Sequence, residues 1–183
     1  MAKAVAPATR DGDVWRPHEP GLPTTAELCA RARILIVDDR ETNVLLLETI
    51  LRAEGVVEIE GVTDPLTAVG RCLEFEPDLL LLDLHMPKVD GFDVLRELRE
   101  RLAPDVFLPV VVLTADATPG ARVRALEAGA KDFLTKPIDR IEVTLRIRNL
   151  LETCALYNQA QARKQELQRE LAKRRPERPV RVI

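Results

Sequence analysis

Residues 79–95 read LLLLDLHMPKVDGFDVL, and the first five of them decide the fold. Four consecutive leucines at 79–82 leave no polar face, so a strand there must be covered on both sides, as central parallel strands are. The run stops on a carboxylate, Asp83. After a loop holding Pro87 and Gly91 the apolar spacing turns helical over 91–102. A buried strand, a loop and an amphipathic helix make the repeating unit of α/β sheets.

The same unit recurs on either side. ILIV (34–37), VVEIE (56–60), PVVVL (109–113) and KDFLT (131–135) are further candidate strands, with helical spacing over 41–54, 65–75 and 119–128 between them. Asp64 before Pro65, Gly55 after the first helix and Gly129 after the fourth supply start and stop signals. Alternation over residues 33–150 predicts an α/β fold: a doubly wound, five-stranded parallel sheet with helices on both faces.

Composition agrees. The 183 residues are 46% apolar, 31% charged and 3% aromatic, with a formal charge of −3. An aliphatic core is expected, and neither a strongly basic nucleic-acid binder nor an aromatic platform for single strands fits. No apolar run approaches the roughly 18 residues of a membrane span. The N-terminus meets proline and charge before any signal-like apolar run, so a cytoplasmic location is expected. Cys29, Cys72 and Cys154 stand at wide spacing that suits neither a disulfide framework nor a zinc site, and are expected to be reduced packing residues.

Outside 31–150 the chain changes character. Residues 1–30 hold Pro7, Pro17, Pro20 and Pro23 without apolar periodicity, which predicts a flexible or loosely docked arm. At the other end, Asp139 and Glu142 form a D-x-x-E capping signature, and no Gly or Pro follows before Pro176. One helix of about 35 residues, roughly 50 Å long, is predicted, about three times what a closing helix needs. Residues 151–183 are then a helical extension with a basic tail. Positions 140–183 hold eleven Lys and Arg against five Glu, a net +6 that leaves −9 for the rest. A helical wheel places Val143, Ile147, Leu150, Leu151, Cys154 and Tyr157 in one stripe, and Ile141 with Leu145 in another.

Ligands of open parallel sheets bind beyond the carboxyl ends of the strands. Asp38 and Asp39 follow ILIV, Asp83 follows LLLL, Thr114 follows VVVL, and Lys136 follows DFLT. Three carboxylates in one crevice repel one another unless a cation offsets them, and a hard divalent ion such as Mg²⁺ suits such oxygen donors while leaving positions for phosphoryl oxygens. Lys136 and the Thr114 hydroxyl would complete a phosphoryl site.

The order ILIVDD, LLLLDLHMPKVDGFDVL, VVVLTADAT and DFLTKPID resembles the receiver domain of two-component response regulators, over residues 33–150. The resemblance implies a flavodoxin-like sheet of order 2-1-3-4-5. It implies that Asp83 accepts a phosphoryl group from the phosphohistidine of a sensor histidine kinase. Asp39 would be a direct Mg²⁺ ligand, Asp38 a ligand mainly through water, and the His85 backbone carbonyl a further ligand. Lys136, ahead of a cis proline, would pair with a phosphoryl oxygen. Thr114 would swing toward the phosphoryl group, with Phe133 as the aromatic that follows it. Ala115 leaves room for phosphoryl entry, and Gly91 fits the turn after MPKVD. His85 and Asp116 would flank the path of the hydrolytic water. The only chemistry implied is self-catalysed phosphotransfer and autodephosphorylation, not turnover of a substrate.

Output is expected through protein contact. The expected surface is the fourth helix, fifth strand and fifth helix, and the simplest partner is a second copy meeting Ile141 and Leu145, giving a homodimer; the downstream protein is unknown. The long helix also resembles linkers of receivers fused to cyclic-dinucleotide phosphodiesterases or cyclases, so a receiver fragment of such a regulator is the alternative. A Mg²⁺-dependent aspartyl-phosphate phosphatase is a remote one, because its D-x-D pattern would need an acid where His85 stands. A DNA-binding regulator lacks a recognition helix, and a phosphate-independent pseudo-receiver is at odds with the intact acid pocket.

Overall fold

The computed structural model describes residues 23–116 and 118–174. A short helix, α1 (Thr25–Arg31), precedes β1 (Arg33–Val37), α2 (Glu41–Ala53) and β2 (Glu58–Val62). A 3-10 turn at Pro65–Thr67 leads into α3 (Ala68–Phe75), then β3 (Leu79–Asp83) and α4 (Gly91–Arg101). The chain continues through β4 (Val110–Thr114), α5 (Pro119–Glu127), β5 (Asp132–Thr135) and α6 (Arg140–Arg174). The five strands are parallel and ordered β2-β1-β3-β4-β5, as expected.

Alternation along the strands divides the core in two. Ile34, Ile36, Leu79, Leu81, Val111, Leu113 and Leu134 face α1, α2 and α6, whereas Leu35, Val37, Leu80, Leu82, Val110 and Val112 face α3, α4 and α5. Covering both faces with helices requires continuously apolar central strands, and all of Leu79–Leu82 is fully buried.

Two elements differ from the sequence expectation. VVEIE suggested a strand from 56, but β2 starts at Glu58. Val56 is used to close α2 instead. Gly55 adopts φ 92, its N–H donates to the Arg52 carbonyl, and the Val56 N–H reaches back to Leu51. That is a Schellman cap, and the buried Val56 side chain is its apolar contact.

The second difference lies at the N-terminus. Residues 1–22 of the expected arm, like the basic tail 175–183, fall outside the described residues. Residues 25–31, however, are helical. Thr24 accepts from the Glu27 N–H and the Glu27 carboxylate accepts from the Thr24 N–H, a T-x-x-E capping box of the same kind as the one read at Asp139. Cys29 and Ala32 enter the core, and Thr25 Oγ1 donates to Glu152 Oε1 on α6 at 2.8 Å. All three cysteines are free and buried.

Helix α6 is 35 residues long. Val143, Ile147 and Leu151 pack into the core on the sheet, and the buried Cys154 sets its Sγ against the Asp78 and Phe107 carbonyls. Tyr157 ends this contact: its ring lies 4.9 Å from that of Phe107 and its hydroxyl donates to the Asp105 carbonyl. Beyond it the described side chains are exposed, apart from a half-buried Gln161.

Candidate phosphoryl and metal site

Parallel pairing aligns the carboxyl ends of β1, β3, β4 and β5, and the site forms there. Asp83 is the last residue of β3, beside Leu113; Thr114 is the last of β4, beside Thr135. Asp38 follows Val37 at the end of β1, and Lys136 follows Thr135 at the end of β5. Carboxylate oxygens of Asp38, Asp39 and Asp83 lie within 4.8 Å of one another.

One cation is built into the cluster. Lys136 Nζ donates to Asp83 Oδ2 at 2.7 Å and to Asp38 Oδ2 at 2.8 Å. Burial pulls the ammonium pKa down, but the hydrogen bonds and charges of Asp38 and Asp83 outweigh it and hold Lys136 above the ordinary lysine value.

The three acids are not equivalent. Asp38 is fully buried, and its oxygens accept from the Arg40 N–H at 3.0 Å and from Asn43 Nδ2 at 2.9 Å each. Asp83 is nearly buried and accepts from the His85 N–H at 3.2 Å. Asp39 is half-buried. Asn43, one turn into α2, was missed by the sequence reading; an Asn on the first turn of a helix after a DD pair was the available sign. A hard divalent cation fits this donor set, because three carboxylates converge and, among the described residues, one ammonium bridges two of them.

Gly91 matters through close approach rather than turn geometry. It is the first residue of α4, its N–H donates to the Leu84 carbonyl, and a Cβ there would stand 2.4 Å from the Asp83 carbonyl oxygen. The α4 N-terminus is thereby pressed onto the backbone of Asp83.

Around the acids, Thr114 is buried and its Oγ1 accepts from the Asp116 N–H at 3.0 Å. Asp116 in turn accepts from the Thr118 N–H; these bonds, first to the backbone, hold its carboxyl below the usual range, with a smaller lowering from His85. His85 is exposed, and Ala115 lies between Thr114 and Asp116. Lys136–Pro137 is cis. Phe133 is half-buried in mid-β5, while Ile141 and Leu145 are exposed on α6, at 69% and 55%.

Residues 34–148 match the model of the response regulator receiver domain. The chain belongs to that family. This receiver domain is 46% identical over 119 residues to the response regulator PleD of Caulobacter vibrioides, covering 65% of this chain and 26% of that protein. It is 38% identical to the transcriptional regulatory protein TrcR of Mycobacterium tuberculosis, over 65% of this chain and 45% of that one. The chain thus spans about a quarter to a half of these curated relatives. Among solved structures, a putative response regulator from Chloroflexus aurantiacus is 33% identical with a TM-score of 0.58, over 66% of this chain and 97% of that one. A putative two-component system response regulator/GGDEF domain protein is 27% identical with a TM-score of 0.65, over 71% and 53%. No helix among the described residues of this receiver is long and apolar enough to cross a membrane.

Proposed function

We propose that this receiver accepts a phosphoryl group on Asp83 from a sensor histidine kinase, with Mg²⁺ held by Asp39, Asp83 and the His85 carbonyl, and by Asp38 mainly through water. The observation that carries this reading is the convergence of Asp38, Asp39 and Asp83 with Lys136 bridging two of them. Mg²⁺, when bound, neutralises acid and phosphoryl charge. The chain's own residues do the rest. Asp83 presents its carboxylate as nucleophile, its oxygen bonding to phosphorus as the P–N bond of the kinase phosphohistidine breaks and the imidazole leaves, giving an acyl phosphate. Lys136 shifts from carboxylate to phosphoryl oxygen; Thr114 turns its hydroxyl from the Asp116 N–H toward the new acceptor. That Asp38 already accepts from Asn43 on both oxygens supports its water-mediated role. Labelling by a cognate kinase or by acetyl phosphate tests the assignment, with Asp83→Asn expected to fall to background. Hydroxylamine-sensitive label retained in that variant refutes it.

For the output, we infer homodimerisation through α6. At about 100° per residue, Ile141, Leu145, Leu156, Leu167 and Leu171 fall within an arc of about 120°, opposite the face packed on the sheet. All five are exposed, and a helix reaching beyond its domain needs a partner to cover such a stripe. A second reading, in which α6 connects to a further output domain, is supported by the GGDEF proteins among the structural relatives, of which the chain covers about half.

A further inference from the structure

Phe133 is held by charge as well as by packing. Its ring packs against the core beneath α3, α4 and α5. The guanidinium of Arg122 on α5 stands 4.4 Å from the ring centroid, and that of Arg146 on α6 stands 5.3 Å from it. Two cations from two helices therefore share one aromatic ring.

Arg146 is fixed in that position. Its Nη1 donates to Asp132 Oδ1 at 2.5 Å, and its Nε and Nη2 donate to Glu142 Oε1 at 3.0 and 2.6 Å. The same Asp132 oxygen accepts the backbone N–H of Phe133 at 2.8 Å. The aromatic is thus tied to Arg146 through both its ring and its backbone. Arg122 is exposed and approaches the ring from the other helix.

We propose that Arg122 and Arg146 are positioning residues of the switch, a guanidinium clamp that holds the Phe133 ring where it stands and resists its movement when the acid pocket is phosphorylated. The proposal rests on the roles proposed above for Asp83 and Thr114, and on Phe133 following Thr114 as the receiver resemblance implies. A ligand shifts a conformational equilibrium only by its differential interaction with the two states. Contacts made by the ring in the resting state alone must be broken on activation, so they oppose phosphoryl binding. Releasing the ring leaves the exposed Arg122 guanidinium on α5 without that contact, whereas Arg146 stays paired with Asp132 and Glu142.

The sign of the effect separates the clamp from general electrostatics. Removing a positive charge near an anion site weakens anion binding; removing the clamp strengthens it. The test is calorimetric titration of the full chain with beryllofluoride in Mg²⁺. Arg122→Gln is expected to lower the apparent Kd about two- to five-fold, the range for one exposed cation–π contact, and Arg122→Lys to restore it. Arg146→Gln should act in the same direction, but Arg122, outside the ion-pair network, carries the decisive comparison. In a Phe133→Leu background, Arg122→Gln should have no further effect. Unchanged or weaker binding by Arg122→Gln, or the same shift persisting without the ring, overturns the clamp alone. A wild-type chain that fails to bind beryllofluoride overturns the phosphoacceptor reading together with it.

Discussion

Lys136 reaches across the end of β4 to place its ammonium 2.7 Å from the Asp83 carboxylate, joining the tips of two strands that are not neighbours in the sheet. The same ammonium holds Asp38, at the tip of β1. Among the described residues, this one cation offsets an acidic cluster drawn from two strand ends, and the resting site is a compromise between charge repulsion and the bridge.

Replacing Lys136 by Met should cost about 1–3 kcal/mol of stability without Mg²⁺, a buried-pair loss discounted for the partial exposure of the lysine. Added Mg²⁺ should recover part of that loss by binding the unpaired acids. The pH dependence has a definite sign. The folded-state pKa of Lys136 is raised, so its contribution is complete below the ordinary lysine value of 10.5 and fades only as pH rises through the higher folded value. Urea unfolding of wild type and variant at pH 7 and pH 9 should give the same difference. A difference that shrinks between those pH values contradicts the bridge.

Asn43→Ala should cost about 1–3 kcal/mol, because the fully buried Asp38 loses the amide that donates to both its oxygens. Asn43→Asp should cost more, since it adds a fourth acid. Chemical denaturation reads both, and equal stabilities for the two variants would count against the assigned role.

Asn43 also marks what the sequence withheld. Strand ends are legible because a continuously apolar run such as Leu79–Leu82 can stop on a carboxylate in few ways, and sheet topology then gathers those ends. A side chain that orients one of them from a neighbouring helix carries no pattern of its own. The Arg146 contacts with Asp132, Glu142 and Phe133 were hidden for the same reason: i,i+4 spacing shows the Glu142 partner, but only the fold brings in Asp132 and the ring. Helix α1 is a different case. Its T-x-x-E box was present in the letters, but seven residues after a run of prolines give too little periodicity to outweigh the arm reading. The displaced β2 shows tertiary use of a strand-forming residue, Val56, in a helix cap.

Gly91→Ala should be among the most damaging single-methyl changes in the domain. Its Cβ would lie 2.4 Å from the Asp83 carbonyl oxygen and 2.7 Å from Leu84 Cα, both backbone atoms that cannot rotate away. The α4 N-terminus must then lift from the phosphoacceptor strand, at a cost of about 1–3 kcal/mol. Thermal unfolding measures that cost, and acetyl-phosphate labelling of the folded fraction should slow because Asp83 moves with the backbone. Normal labelling with unchanged stability would show that the loop accommodates a side chain freely.

The exposed stripe on α6 yields the remaining prediction. Leu156 and Leu167 are 50% and 53% exposed and lie eleven residues apart, close to three helical turns, so they occupy the same side of the helix. If a second copy covers them, Leu156→Gln with Leu167→Gln removes apolar contact from both protomers and should weaken association at least about tenfold. Light scattering over a concentration series reads the mass, and far-ultraviolet circular dichroism should report lost helix at low concentration, because a segment this polar does not sustain a helix alone. Both signals should move together. A wild-type chain that is monomeric at every concentration, yet keeps its full helix content, removes dimerisation as the reason the stripe exists.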